Sequence, residues 1–354
     1  MYYDPIVGVR PCADIFESIG HWRVMAISMT ARKALWARSA NFCAFPDCNQ
    51  QLTEDIRDGE SGVLHSSGVP IGEEAHIFSG SSGGPRGGEI YPEDKIDSYE
   101  NLILLCPTHH RIIDKQRGVA YTADTLRKMK SEHEAAWAAK KSASDKRFEE
   151  VELRTIALIE KWSVDASLQE WEGVTWRLNS PVPRLKREYV DSLGEQARWL
   201  LGRTWPPAYP LTARAFDNYR VVLTDLVGYV QSNMDYPRSR DDVLEFPRPW
   251  NWVGFDHAQF ETARAKFQSD VDMLSELSLE LTKAANFACD AVREELDPLF
   301  RFDDGVLIHR LGDGIFSDVS TREEYSPEER LNTRPYCGLK VLKERVRDHG
   351  GASR

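Results

Sequence analysis

The chain has 354 residues, of which 41% are hydrophobic and 29% are charged, a composition typical of soluble globular proteins. No run approaches the ~18 consecutive apolar residues of a membrane span. The formal net charge is -11, so the chain has no overall basic excess with which to bind nucleic acid. Any contact with nucleic acid therefore needs a local site.

The chain begins with residues 1–28, which have no clear periodicity and lack the basic start and apolar core of a signal peptide. The TARKALWARSANFC stretch after Met29 has the character of a domain beginning, with a short helix predicted over 31–40. We therefore expect an N-terminal extension over 1–28, a first domain over 29–142 and a second domain over 143–354. Six cysteines without a signal peptide favour a reducing cytoplasm.

Two short loops carry paired metal-ligand residues. Cys43 and Cys48 frame the first loop, whose Pro-Asp step favours a turn, and Cys106 with His109 frames the second. A structural zinc takes four nitrogen or sulfur ligands, usually two from each of two such loops. The spacing therefore predicts a closed zinc site on these four residues. Free buried thiols are the alternative, and a disulfide is less favoured because a histidine completes the second loop.

A second group of residues lies between and just after these loops. His76 ends a predicted short strand, Asn101 opens an apolar run predicted as the next strand, and His110 and Asp114 lie four apart on a predicted helix. A histidine and a carboxylate on one helical face can hold a divalent cation, and His76 can take the proton from an attacking water. The alternative for any single histidine is a surface or hydrogen-bonded core residue.

The order of these residues resembles the HNH endonuclease family, with its ββα-metal fold. The chain carries Cys-x4-Cys, then Ala-His-Ile, then Asn-Leu-x-x-Leu-Cys-Pro-x-His-His-x-x-x-Asp. The resemblance covers residues 30–140, including YTADTLRKMKSEHEAAW, which is similar to the helix after the core of many bacterial defence nucleases. It implies an α+β protein with an N-terminal ββα-metal nuclease domain, followed here by a mostly α-helical domain.

The resemblance also implies roles for individual residues. His76 is expected to be the general base, Asn101 to tie the two strands together, and His110 to bind the catalytic metal, expected to be Mg²⁺ or Mn²⁺. Asp114 is expected to be a further ligand of this metal because of its helical spacing from His110. The structural Zn²⁺ is expected on Cys43, Cys48, Cys106 and His109.

One position departs from the family pattern. Many HNH enzymes have an aspartate before the base histidine that also binds the metal, and here that position is Ala75. Asp114 or Glu74 could supply the missing carboxylate. The glycine-rich segment 79–88 lacks the Gly-Lys-Ser/Thr ending of a nucleotide loop, and is either a mobile connection in which Arg86 contacts DNA or a plain linker.

The rest of the chain is predicted to be mostly helical, with a strand at 305–310 and a long ordered loop over 236–256, which is rich in Pro, Arg and Trp. Apolar residues at helical spacing predict helices over 123–141, 148–163, 185–203, 211–234 and 257–299.

These observations predict a metal-dependent endonuclease that hydrolyses double-stranded DNA. The appended domain suggests an effector in bacterial anti-phage defence, controlled or targeted through that domain by an activating ligand, a partner protein or oligomerisation. Two alternatives stay open: a modification-dependent restriction-type endonuclease, and a catalytically dead, zinc-stabilised protein that binds DNA or protein. The first keeps the same site, whereas the second is favoured by Ala75 and by the acidic net charge.

Overall fold

The computed structural model describes residues 27–54, 69–87, 91–236, 242–248, 256–312 and 318–352. The chain divides into two compact units between Lys141 and Ser142. Most of the predicted extension over 1–28 lies outside the described residues. None of the helices in the described ranges combines the length and apolarity that a membrane span requires.

The first unit is built on a small antiparallel hairpin with helices packed around it. Strands β3 and β4 pair antiparallel, with Glu73 opposite Leu105 and His76 opposite Leu102. All four residues of β4 are buried. The elements of this unit are α1 (Met29–Arg38), β1 (Thr53–Glu54), β2 (Val69–Pro70), β3 (Glu73–His76), β4 (Leu102–Leu105), α2 (Pro107–Asp114) and α3 (Ala123–Ala138).

Helix α2 starts one residue after β4, and its sequence explains why. Pro107 occupies the first helical position, where a missing N–H costs nothing, and Cys106 caps the helix by accepting from the amide of His109. The sequence thus turns directly from the central strand into the helix that carries His109 and His110. The predicted strand over 102–105 and the predicted helix start near Pro107 are confirmed.

Helix α1 differs from the prediction at its C-terminal end. It stops at Arg38 rather than Ala40, because Ala40 and Asn41 adopt left-handed φ values of 51° and 61°. This turn redirects the chain towards the loop that carries Cys43. Apolar periodicity does not report such a turn, since neither residue is a glycine.

The second unit is mostly helical, so the predicted α+β class is confirmed for the chain. Its long helices α7 and α8 pack against each other, and its sheets are two short antiparallel pairs. The elements are α4 (Ala143–Asp165), α5 (Trp171–Leu178), β5 (Arg184–Lys186), α6 (Arg187–Leu201), α7 (Pro210–Asn233), β6 (Val243–Glu245), α8 (His257–Glu295), β7 (Ile308–Gly312), β8 (Asp318–Arg322), α9 (Pro327–Leu331) and α10 (Leu339–Ala352).

A buried polar cluster joins three elements of this unit. The amide nitrogen of Asn179 donates to Ser278 Oγ at 3.0 Å and lies 3.1 Å from His309 Nε2. These residues follow α5, lie in α8 and lie in β7, respectively. Burial lowers the pKa of His309 to about 4, so its ring is neutral at pH 7. The cluster fixes the register of the three elements because buried polar groups need partners.

Two sequence predictions for this unit are corrected. Residues 236–256, predicted as a loop, contain strand β6, which pairs with β5. The predicted helix over 185–203 starts later, at Arg187, because β5 takes its first residues. Strands of three residues are too short to show a periodicity, and only the partner strand defines them.

The second unit is expected to fold without the first, because it has a core of its own. Within it, Trp162 of α4 packs edge-on against Phe216 and Tyr219 of α7. A fragment spanning residues 142–354, which keeps the Ser142 capping box of α4, should therefore melt cooperatively by circular dichroism.

The control is a fragment over 166–354, which lacks α4 and its buried Ile156, Ile159 and Trp162. Losing these side chains should lower the melting temperature markedly, since each buried large side chain contributes about 2–5 kcal/mol. A gradual melt of the longer fragment would contradict the prediction and indicate one merged domain.

Candidate metal centres

Four potential metal ligands converge where the first loop meets α2. One ligand atom from each of Cys43, Cys48, Cys106 and His109 lies within 4.8 Å of the other three. The loop is attached to the hairpin by a hydrogen bond from the amide of Ala44 to the carbonyl of Leu104 (2.9 Å), and it is closed on itself by one from the amide of Cys43 to the carbonyl of Gln50 (3.1 Å). The predicted closed site is thus assembled from the two predicted loops.

The spacing of these atoms fits a tetrahedral ion. His109 Nδ1 is 3.1 Å from Cys106 Sγ and 3.6 Å from Cys43 Sγ. Sulfur and nitrogen ligands of one tetrahedral zinc lie about 3.5 Å apart, given zinc–ligand distances of ~2.0–2.3 Å. Phe45 stacks on the His109 ring with centroids 3.9 Å apart and holds it in place. The group can therefore bind a metal such as zinc.

Cys43 of this group is buried, and its sulfur accepts a backbone hydrogen bond. Burial raises the pKa of Cys43 to about 12, so without a cation its sulfur stays protonated at neutral pH. Its Sγ nevertheless accepts a hydrogen bond from the amide of Cys106 at 3.3 Å, which suits a thiolate ligand. No disulfide is formed by Cys43, Cys48, Cys106, Cys289 or Cys337.

Asn101 ties the two strands of the hairpin together. Its Oδ1 accepts from the amide of Phe78 at 2.9 Å, and its Nδ2 donates to the carbonyls of Phe78 and Ile96 at 3.0 and 2.8 Å. The residue is buried, so each of these backbone groups would lack a partner without it. Asn101 therefore holds the chain that leaves β3 against the segment that enters β4.

His76 lies at the end of β3, as predicted, with part of its ring exposed to solvent. Its Nε2 is 2.8 Å from Asp97 Oδ1, and 35% of its side chain is exposed. An ionised carboxylate only accepts hydrogen bonds, so Nε2 carries the proton and Nδ1 has a free lone pair when the ring is neutral. The pair leaves His76 able to accept a proton at Nδ1.

His110 lies between two carboxylates, one at each ring nitrogen. Nδ1 is 2.6 Å from Glu73 Oε2, and Nε2 is 3.2 Å from Asp114 Oδ2. The contact with Asp114 follows from its position four residues after His110 on α2, which the sequence predicted to place both side chains on one helical face. Glu73 comes from β3, across the gap between strand and helix, and was not predicted.

Arg86 is buried between β3 and α2, although the sequence suggested that it contacts DNA. Only 5% of its side chain is exposed. Its guanidinium donates to the carbonyls of Ile77 (2.6 Å), His76 (3.2 Å) and Ile113 (2.9 Å), and to Asp114 Oδ1 (2.7 Å). The interpretation of Arg86 as a DNA contact is therefore corrected. The glycine-rich segment places the Arg86 guanidinium inside the first unit.

Gly118 leaves room for this guanidinium. A Cβ at Gly118 would lie 2.2 Å from Arg86 Nη1, and the backbone there has a φ of +79°. A side chain at this position would therefore displace Arg86 as well as strain the turn. The turn after α2 is shaped around the arginine.

Glu74 faces helix α1 and not His110. It was one of the two carboxylates that the sequence suggested as substitutes for the missing aspartate. Its Oε1 accepts from Arg32 Nε at 2.7 Å and from Trp36 Nε1 at 2.8 Å, both on α1. Side chains of a strand alternate between faces, so Glu73 and Ala75 share the face that Glu74 does not. Glu74 is committed to attaching β3 to α1.

Sequence reasoning missed Glu73 and Asp97, which contact the two histidines, and gave Arg86 a different role. Strand alternation could have indicated Glu73, because it lies two positions before Ala75. Asp97 and Arg86 lie in irregular segments, where no periodicity predicts which residue turns inward.

One comparison with known proteins bears on the first unit. Residues 47–117 match the family model described as HNH endonuclease, which places an HNH domain at the N-terminal end of the chain. The matched segment includes His76, Asn101 and His110, together with every ligand of the Cys/His group except Cys43. A search of curated proteins gives no significant match.

Cys48→Ser should remove metal from the first unit and unfold it. Cys48 is one of the four converging ligands, and a structural zinc contributes about 10–16 kcal/mol to folding in small zinc domains. Metal analysis of protein purified without chelator should show zinc in the wild type and much less in the variant.

Cys337→Ser is the control, because Cys337 is exposed and belongs to the second unit. It should leave the zinc content unchanged. Wild-type protein purified without zinc, or a Cys48→Ser variant with full zinc content, would contradict a metal site here.

Proposed function

We propose that the first unit is a metal-dependent endonuclease that hydrolyses phosphodiester bonds in double-stranded DNA. The observation that carries the proposal is the pairing of His76 with Asp97, together with a second histidine, His110, that is flanked by carboxylates. One of these carboxylates, Asp114, shares Arg86 Nη2 with the His76 carbonyl. The match of residues 47–117 to the HNH endonuclease family supports the reaction type.

His76 is the general base in this proposal. Asp97 holds Nε2–H, so the lone pair of Nδ1 accepts the proton of the attacking water. Asn101 and Arg86 hold β3 in position: Asn101 pins the chain just after the strand, and Arg86 holds the His76 carbonyl. The base is therefore fixed by its neighbours on both the side-chain and the backbone side.

His110 holds the divalent cation, Mg²⁺ or Mn²⁺. A bound cation of this kind offsets the charge that develops on the phosphate and on the leaving oxygen. The side chains of Arg111, Lys115 and Arg117 are exposed on and just after α2, and they supply positive charge beside the site in a chain whose net charge is -11. These three residues are suited to contacting the DNA backbone.

His76→Ala should abolish plasmid cleavage while leaving the fold and the zinc content intact. Loss of a general base costs about 10²–10⁴ in rate, and His76 is not among the converging Cys/His ligands. His110→Ala should be at least as damaging, but excess Mn²⁺ should restore part of its activity and none of the activity of His76→Ala. The assay is plasmid nicking on a gel with Mg²⁺ or Mn²⁺.

His257→Ala is the control, because that histidine is exposed on α8 in the second unit. Cleavage by His76→Ala at the wild-type rate would show that another group is the base. A wild-type protein that binds DNA but cuts neither unmodified nor modified plasmid with either metal would favour the zinc-stabilised binding protein. Cleavage of modified plasmid alone would favour the restriction-type alternative.

We further propose that the second unit controls or targets the nuclease in antiviral defence. Support comes from a cleft of about 390 Å³ lined by Arg177, Arg184, Arg248 and Trp176. Glu245 lies 3.4 Å from Arg184 and 3.0 Å from Arg248, which leaves the cleft with a net positive charge. Trp176 is 45% exposed and can stack on a planar ring. The cleft suits an anionic ligand, most simply one that carries phosphate.

An Arg177→Gln/Arg184→Gln double variant should keep its fold and its zinc content, but it should no longer protect bacterial cells against phage. Wild-type protein expressed in a bacterial host should markedly reduce phage plaque numbers. The double variant and His76→Ala should not. Arg154→Gln, on an exposed side chain of α4, is the control.

If the double variant protects cells from phage as well as the wild type does, the cleft does not control the nuclease. If the wild type does not reduce plaque numbers, the antiviral role is wrong. Plasmid cleavage would then still support the nuclease.

A further inference from the structure

The ring of His110 imposes a choice between its two carboxylates. A neutral imidazole has one N–H donor and one nitrogen with a free lone pair, and only the latter can bind a metal. The other nitrogen donates its proton to an acceptor, commonly a carboxylate, which orients the ring. Glu73 lies at Nδ1 and Asp114 at Nε2, so one of them shares the metal and the other orients the histidine.

The three side chains do not gather around one point. Among the residues that the structure describes, the Cys/His group is the sole set of three or more such ligands whose atoms all lie within 4.8 Å of one another. Glu73, His110 and Asp114 therefore do not form one compact three-ligand shell. The roles of the two carboxylates must differ.

Asp114 has the properties of the orienting carboxylate. Arg86 Nη2 donates to its Oδ1 at 2.7 Å, while its Oδ2 faces His110 Nε2. A buried guanidinium offsets the charge of the carboxylate and holds it in one position, which makes it a poorer ligand for a second cation. Because four backbone carbonyls also hold Arg86 in place, Asp114 cannot turn away from it without leaving a buried charge unpaired.

Glu73 has the properties of a ligand. In the described part of the chain it pairs with no arginine or lysine, and 43% of its side chain is exposed. Its Oε2 is 2.6 Å from His110 Nδ1, so the carboxylate lies within reach of an ion bound at that nitrogen. It also lies on the strand face of Ala75, where the expected carboxylate is missing.

We infer that Glu73, together with His110 Nδ1, binds the catalytic cation, and that Asp114, held by Arg86, orients the His110 ring through Nε2–H. The inference rests on the proposed nuclease function and assigns its metal shell. The carboxylate absent at position 75 is supplied by the residue two positions earlier on the same strand face. Asp114, assigned to the metal from helix spacing alone, instead has an orienting role.

Direct metal binding tests this assignment without reference to cleavage. Full-length, zinc-loaded protein is titrated with MnCl₂ by calorimetry, for the wild type and for Glu73→Gln, Asp114→Asn and Glu74→Gln. Zinc content and the melting temperature of each variant check that the first unit is folded. Glu74→Gln is the matched control, since Glu74 is the adjacent carboxylate and faces α1.

Glu73→Gln should cause the largest loss of Mn²⁺ affinity, because it removes a charged ligand. Asp114→Asn should weaken binding by about 10–100-fold, the usual effect of losing a residue that orients a ligand. Glu74→Gln should leave the affinity within about twofold of the wild type, since its side chain is bonded to Arg32 and Trp36 of α1 and not to His110.

Three outcomes overturn the assignment: a Glu73→Gln variant that binds Mn²⁺ like the wild type, a loss for Asp114→Asn that exceeds the loss for Glu73→Gln, and a wild type that binds no Mn²⁺ beyond its zinc. Failure of the nuclease proposal is distinguishable from these. If the wild type binds Mn²⁺ through Glu73 but cuts no DNA, the metal assignment stands and the nuclease proposal fails.

Discussion

The position of helix α2 is the constraint on which the candidate site depends, and its two ends are held by different chemistry. At the start, Cys106 caps the helix, and its sulfur lies 3.1 Å from His109 Nδ1 within the converging Cys/His group. At the end, Arg86 holds the carbonyl of Ile113 and the carboxylate of Asp114. His110 lies between these anchors, so its ring has little freedom relative to β3.

The electrostatics of the site follow from the same arrangement. Three carboxylates, Glu73, Asp97 and Asp114, contact the two histidines, and a single buried guanidinium offsets part of their charge. Unpaired, a buried charge is costly, and here Arg86 is satisfied by Asp114 and by backbone carbonyls. The arginine neutralises one carboxylate, Asp114, whereas Glu73 and Asp97 each contact a histidine.

The second unit is organised by different forces. Its core is formed by the packing of α7 on α8 and by the aromatic contacts of Trp162, with buried polar groups such as Asn179 and His309 meeting inside it. The hydrogen bonds of Asn179 hold α8 and β7 in position relative to the end of α5. The basic cleft near Trp176 lies on its surface, where a ligand can reach it.

The amino-acid sequence by itself determined the local elements of the site. The Cys-x4-Cys and Cys-x2-His loops, the strand over 102–105, the helix start at Pro107 and the i, i+4 pair on α2 all follow from residues close together in the chain. These elements can be predicted from the sequence because turns, helix caps and helical faces depend on interactions between residues only a few positions apart.

Only the tertiary structure decided which distant residues complete the site. Arg86 turned inward because backbone carbonyls of β3 and α2 and the carboxylate of Asp114 meet around it, and Gly118 leaves the room. Glu73 and Glu74 are identical neighbours in the sequence, yet one faces His110 and the other faces Arg32, because a strand sends successive side chains to opposite faces. Which face meets α2 is set by how the hairpin packs, and no local pattern specifies that packing.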